Sequence, residues 1–577
     1  MTIIFSRKIL STLALQLIML FCCTISAKTS CREIAYLHTD RTNYIAGESI
    51  YYKLYVLDAD TRKCSEISKV GYVLLRAANS RSSLKIRVKI DSGLASGSIL
   101  LPDTLTSGVY QLVAFTSAMR NFNEQGFYYQ EIVIANRFDK ELKFKFVNPN
   151  STDSNLTKLH NILPAIKTDK TVYGLREKVI VSLENTASKA NVAVSVYEEP
   201  PVLSNAKTIA GTMKVAPVAP DNKQVLIYHS PENKGKILKG RVIDVVTKKY
   251  INEKVVLLSC NDTVPNLQYA VTNSDGRFQM LLSNYYDGKE LFLTIKDVPA
   301  NQQLKIETED EFAQNQPWKP SLISSSVDFR DFIVKSQDLV YINKSYQLNN
   351  DTVDKPLLVS KPICPRFYHC VGTIILPSDF VSLDDFPEIV VEILPQVKIT
   401  RDKGKPSIKV YNSLIKMFNE NSPAIFLDGV FVDDVKKIIE LGSEQIKKIE
   451  VLEVEREFGD LAFSGVISII TKSNEIMNTM PAPHSLRLRN DIINAGGKLV
   501  AINSNQIQNK NLPIFKQLLY WNPNLELNGN NITNIEFFTS DYAAKYIIKI
   551  EGVSDDGTPL SSSSSIQVNN QTNVTDK

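Results

Sequence analysis

Along most of this chain apolar and polar residues alternate in short runs, not in helical stripes. From residue 33 to 134 such runs fall at 33–38, 49–57, 69–76, 85–90, 97–101, 109–115 and 127–134, with Gly, Asn, Asp or Pro between them. Seven strands at this spacing predict a two-sheet β-sandwich. Runs at 179–183 and 192–197 begin a second unit, but the pattern stops at Glu198-Glu199-Pro200-Pro201. Two strands alone cannot bury a sandwich core. Strand patterning returns over 240–244 and 255–258, and again past a polar break at 474–484, over 498–503, 518–521, 534–538 and 545–551. Between these lies a less patterned stretch. There Phe329, Phe332, Ile333, Leu339 and Ile342 mark one helix. Residues 561–565, all serine, and the Asn-rich end read as a disordered tail.

The stretch 423–472 has a different order: strand, Asp-Gly turn, helix, strand, turn, strand. Ala424 to Leu427 is apolar and ends at Asp428-Gly429, where Gly supplies positive φ and the Asp carboxylate bonds nearby backbone N–H groups. Val435, Ile438, Ile439 and Leu441 recur near helical spacing. Ile446, Ile449 and Val451 bracket charged residues, and Val466 to Thr471 is the β-branched run of a buried strand. Residues 383–410 supply the first half of this unit.

One motif occurs twice. Thr39-Asp40-Arg41-Thr42-Asn43-Tyr44, followed by Glu48, returns roughly 130 residues later as Thr168-Asp169-Lys170-Thr171-Val172-Tyr173, followed by Glu177. The Leu101…Tyr110 step recurs as Phe537…Tyr546, so residues 487–566 are expected to complete the sandwich begun at 160–200. Everything between would then be one long insertion.

These residues carry three resemblances. The repeated Asp-Arg/Lys…Tyr…Glu opening, with Gly108-Val109-Tyr110-Gln111-Leu112, resembles the macroglobulin-type domain of the α2-macroglobulin family. Gly240-Arg241-Val242-Ile243-Asp244 and Asn273-Ser274-Asp275-Gly276-Arg277-Phe278 resemble the carboxypeptidase regulatory-like fold, a seven-stranded transthyretin-like sandwich. Asp428-Gly429, Ile446-x-x-Ile449-x-Val451 and Gly465…Thr471 resemble the plug domain of TonB-dependent outer-membrane receptors. The implied architecture is mostly β and multidomain. Ig-like, macroglobulin-type sandwiches lie at 28–140 and 160–200, and a regulatory-like sandwich at 234–300. A linker with one helix spans 301–375, a small α/β plug-like domain 376–475, the C-terminal β segment 487–566 and the tail 567–577. Residues 473–577 are not a string of amphipathic ten-residue strands, so no outer-membrane β-barrel is expected after the plug-like domain.

Composition adds limits. The net charge is +4, with 43% hydrophobic and 22% charged residues, which is no electrostatic footprint for nucleic acid. Arg7 and Lys8 precede a nearly all-apolar run from Ile9 to Cys23 and then Thr24-Ile25-Ser26-Ala27, the pattern of a secretory signal over 1–27. That places the mature chain, with no membrane span, in the periplasm or against the outer membrane; lipoprotein anchoring at Cys22 or Cys23 is the lesser alternative. Export permits disulfides, and the pairs Cys364–Cys370 and Cys31–Cys64 are the candidates, with Cys260 left as a buried small residue.

No residue set reads as catalytic, cofactor-binding or metal-binding. The five histidines are scattered. Gly442-Ser443-Glu444-Gln445 is similar to a macroglobulin thioester motif but lacks its thiol, so it reads as a helix-to-strand turn. Ser274-Asp275-Gly276-Arg277 reads as a hairpin turn and not a calcium cage. Asp433-Asp434 and Glu198-Glu199 read as solvated turns. The expected function is that of a non-enzymatic cell-envelope binding or scaffold protein. Its partners would be an envelope protein, such as an outer-membrane receptor, or a peptide or glycan ligand. The alternatives are an accessory of a TonB-dependent uptake complex and a protease-trap relative without the thioester.

Overall fold

The computed structural model describes residues 32–570 except 78–82, 123–125, 140–145, 148–163, 185–187, 202–206, 215–228, 284–285, 300, 313–317, 321–322, 325–326, 347–365, 369–371, 403–404, 474–483, 492–496, 498, 503, 510 and 530. The chain is mostly β and multidomain, its strands are spread over many separate sheets, and none of these closes into a barrel. Among the described residues no helix is long and apolar enough to cross a membrane.

All seven strands expected between 33 and 134 are present, with a further short one at Asn43–Ile45. Glu33–Thr39, Ser49–Asp58 and Leu94–Leu100 form one sheet. Asn43–Ile45, Tyr128–Ala135, Gly108–Thr116, Val70–Ala77 and Ser83–Lys89, in that spatial order, form the other. Leu37, Leu54, Val73, Leu112 and Ile132 fill the space between them.

The second sandwich is assembled from two distant parts of the chain. Lys178–Glu184 pairs with Ala165–Thr168 on one side and Ile532–Phe538 on the other. Ala190–Glu198 lies between Leu518–Leu527 and Lys545–Ser554. The expectation of a tail at 561–565 is corrected. Pro559–Val568 is a ten-residue strand, antiparallel to Lys545–Ser554 and parallel to Val172–Tyr173. Its serines fit because the ends of the strand, Leu560, Ile566 and Val568, carry the burial, while Ser561 and Ser562 are small enough to be enclosed.

A third sandwich sits inside the second in sequence. Arg277–Leu282, Lys236–Asp244 and Leu304–Thr308 make one sheet, and Gln268–Val271, Val255–Cys260, Glu290–Ile295 and Ser485–Arg489 the other. Its boundary therefore runs past 300, and its seventh strand arrives from beyond the α/β unit. The turn at Asn273–Arg277 joins the two sheets and is not a hairpin within one. Asn273 Oδ1 accepts from Asp275 N and Arg277 N there.

The α/β unit is nested deeper still. Its five-stranded sheet runs Thr373–Ile375, Ile446–Leu452, Val466–Thr471, Ala424–Leu427, Val430–Phe431. The central strand, Val466–Thr471, is buried at every position, as its β-branched run requires. Helices Phe386–Ile393 and Val435–Ile439 cover one face, through Phe386, Ile389 and Ile438 against Ile449, Val451 and Ile467. Asp385 and Asp434 cap these helices by accepting from Glu388 N and Lys436 N.

The helix expected in the linker is Val327–Ser345, and it acts as a strut. Phe329, Ile333 and Val340 pack on Ile45, Val133 and Ala135 of the first sandwich. Leu339 enters the core of the second, and Asn343 donates to the Phe515 carbonyl at 2.5 Å.

The repeated motif makes the same hydrogen-bonded clasp in both sandwiches. In the first, the Tyr44 hydroxyl lies 2.8 Å from Asp40 Oδ1, which also accepts from Tyr51 N at 2.9 Å, and Glu48 accepts from Ile45 N and Arg41. In the second, Tyr173 donates to Asp169 Oδ1 at 2.7 Å, Asp169 accepts from Ile180 N at 2.9 Å, and Glu177 accepts from Gly174 N and Lys170. The late tyrosines also correspond. Tyr110 donates to the Thr106 carbonyl and Tyr546 to the Tyr542 carbonyl, each four residues back.

Candidate interaction site

The structure brings the six plug-like motif residues into one sheet and its turns. Ile449 and Val451 pair with Ile469 and Ile467. Asp428, at φ 48° and buried, accepts from Thr471 N and Thr471 Oγ1, each at 2.7 Å. The carboxylate thus ties the end of Ala424–Leu427 to the end of Val466–Thr471. Gly465, at φ 105°, turns the chain into that central strand. Gly429, at φ 81°, lies against the third sandwich. A Cβ there would run into the Asp262 carbonyl and come within 2.9 Å of that of Cys260. Asp262 N in turn donates to the Asp428 carbonyl at 2.9 Å, and Phe431 N to Ser259 Oγ at 3.1 Å. These residues are a structural lock between two units, and the lock occupies one end of the sheet.

The other end is open. Thr373–Ile375 is the terminal strand and pairs only with Ile446–Leu452 among the described residues. Its approach is anchored by buried Glu450, which accepts from Arg366 Nη1 at 2.5 Å and from Gly372 N at 3.2 Å. Ile375 turns inward while Ile374 faces out. Leu376, Phe380 and Val381 follow, and Val381 is 84% exposed. An unpaired edge flanked by exposed apolar side chains is a template for another chain's strand.

Other candidates resolve differently. Glu198 is not a solvated turn residue. It accepts from Tyr542 Oη at 2.8 Å and Gln517 Nε2 at 2.7 Å, and Glu199 pairs with Lys545 at 2.7 Å. The two carboxylates sew the halves of the second sandwich together, because the strands on either side of the insertion meet here. Asp434 is the helix cap already described, with Asp433 exposed beside it. Ser443–Gln445 is a helix-to-strand turn. Cys31, Cys364 and Cys370 lie outside the described residues.

Both candidate disulfide pairs therefore involve residues outside the described ones, and half-buried Cys64 is bridged through its backbone to Leu57 of the strand Ser49–Asp58.

A cavity of about 100 Å³ lies where the first and third sandwiches meet. Its charges are spent on each other: Arg87 and Lys236 pair with Glu311, and Tyr72 donates to Glu232 at 2.8 Å. It is a joint between units. Among the described residues no group of three His, Cys, Asp or Glu is placed to hold a metal ion.

No protein-family model matches the chain. No curated protein matches it either. Among solved structures it is similar to bacterial α2-macroglobulins. For the Salmonella protein reacted with methylamine the TM-score is 0.24 at 7% identity, covering 93% of this chain and 39% of that one. For the native conformation of the E. coli protein the TM-score is 0.24 at 9% identity, covering 94% and 40%. The chain thus spans about two fifths of the length of these proteins. At such scores the likeness carries no argument, and the fold described above rests on this chain's own strand pairing.

Proposed function

We propose that this chain is a non-enzymatic binding protein of the cell envelope, built on macroglobulin-type sandwiches, with the α/β unit as its plug-like contact module. The observation that carries this reading is the open edge Thr373–Ile375 with Ile374, Leu376, Phe380 and Val381 exposed beside it. The partner is a protein that adds an extended strand to this edge. Main-chain bonds supply the affinity and the apolar side chains the selectivity. The basic and apolar start of the sequence supports export of the mature chain to the periplasmic side of the outer membrane.

The test is site-specific photocrosslinking in the native cell. A photoreactive residue at Ile374 or Phe380 should yield adducts with an envelope protein, and one at exposed Val246 of the third sandwich should not. A barrel receptor in the adduct would make the chain an accessory of an uptake complex. Absence of adducts at both edge positions, or a chain found in the cytoplasmic fraction, overturns the reading.

A further inference from the structure

The α/β unit carries a second surface, on a different sheet from the open edge. Val397–Asp402, Lys405–Asn412 and Met417–Phe418 form a three-stranded antiparallel ribbon. Its inner face is apolar, and Ile408 and Val410 are buried in the core of the unit. Its outer face is basic and aromatic. Lys398 and Lys409 are direct cross-strand partners. Like charges set opposite each other destabilise a strand pair unless an anion lies between or above them. Lys398 and Lys416 are exposed and Lys409 half-buried, and none of the three is in an ion pair among the described residues. Tyr411 and Phe418 stack edge to face at 5.5 Å beside Lys398, whose Nζ is 5.9 Å from the Phe418 ring.

The turn of the ribbon reverses the usual rule that loops are polar. Leu414 is 75% exposed, Ile415 57% and Met417 59%, in consecutive turns around Lys416 at φ 56°. Three aliphatic side chains are held out at a tip, with unpaired cations behind them and aromatic rings between. A protein pocket would account for the apolar tip or the cations, but a lipid interface matches the whole series in depth order. Aliphatic groups enter the acyl region, aromatic rings sit at the headgroups, and lysines reach the phosphates.

We propose that the ribbon 397–418 docks this chain on a membrane surface containing anionic lipid. Docking is peripheral and adds to, without depending on, the partner reading of the open edge. The test is flotation of the full chain with vesicles. Binding is expected to vesicles of phosphatidylcholine with 30% phosphatidylglycerol, at least tenfold weaker to phosphatidylcholine alone, and released at high salt. Each basic residue near an anionic surface contributes about fivefold in partitioning, so K398Q/K409Q should lose about twenty-five-fold. L414S/I415S/M417S should lose binding at unchanged lysine content. Both variants change outward side chains, and circular dichroism checks that they are folded. Equal binding to both vesicles, no binding to either, or full binding by the tip variant overturns the proposal. So does capture by polyglutamate without flotation, which would assign the cations to an acidic protein.

Discussion

The first and second sandwiches hold the same clasp in different surroundings. Asp40, Tyr44, Tyr51 N and Glu48 correspond atom for atom to Asp169, Tyr173, Ile180 N and Glu177. Asp40 is fully buried, close to Tyr197 of the second sandwich, whereas Asp169 is exposed. Burial pushes the Asp40 carboxyl up to about 7, against the pull of Arg41 and the Tyr44 hydrogen bond. At Asp169 the smaller burial also pushes upward, but the bonds from Tyr173 and Ile180 N outweigh it and the net shift is downward. The motif therefore fixes the geometry, and the unit packed over it fixes the energetics.

The largest separation between the copies is expected on deleting the carboxylates. Asp40→Ala leaves Tyr51 N without an acceptor, Tyr44 with the Arg41 carbonyl alone and Arg41 with Glu48 alone, a loss of about 1–3 kcal/mol. Asp169→Ala, at an exposed site, should lose about 1 kcal/mol. Chemical denaturation gives the totals, and hydrogen exchange of the full chain shows which sandwich opens. Glu198→Ala should open the second sandwich alone, by about 1–3 kcal/mol, since Tyr542 and Gln517 lose a half-buried acceptor.

The copies should also respond to pH with opposite sign. A carboxyl whose folded value is raised contributes stability that is full below about 4 and lost as pH rises through about 7, so protection factors in the Asp40 region, corrected for the intrinsic rise of exchange with pH, should be lower at pH 8 than at pH 5. A carboxyl held below its usual value contributes stability above that value and loses it in acid, so the Asp169 region should loosen below pH 4. Asp40→Asn should abolish the first response and leave the second. The smallest effect is a control: Tyr110→Phe and Tyr546→Phe each remove a bond to the carbonyl four residues back and should each lose about 1 kcal/mol, although Tyr546 also lies 3.4 Å from the Lys516 carbonyl and Ser540 Oγ. Unequal losses would show that the late strands differ more than their geometry does.

The clasp was legible in the sequence because it is made by polar residues at fixed spacing. The strands of the first sandwich were legible because each buries one apolar run. Pairing of 160–200 with the C-terminal segment was legible only through Tyr546 echoing Tyr110. The ends of units were not. Thr373–Ile375 and Ser485–Arg489 are three and five residues long, too short for alternation to register, and each joins a sheet built elsewhere in the chain. Ser561–Ser565 was misread because serine signals loops, while here the neighbouring strands supply the burial. Glu198 was read as solvated because its partners are 319 and 344 residues away. Asp428, Gly429, Ile449, Val451, Gly465 and Thr471 share one sheet and its turns, but the sequence held no sign that Gly429 faces Asp262, a contact between separate units.

The nesting sets an order of events during synthesis. When Ala190–Glu198 leaves the ribosome, the strand that will cover it at Gln517 is 319 residues behind. At 5–20 residues per second that delay is about 15–60 s. The α/β unit completes its sheet first, then Ser485–Arg489 closes the third sandwich, and only afterwards can the second sandwich form. For that interval the first half of the second sandwich, four strands from Ala165 to Glu198, lacks its covering partners. The nested units are completed from the inside outwards, and Pro559–Val568, made after all of them, pairs with Val172–Tyr173, made before them.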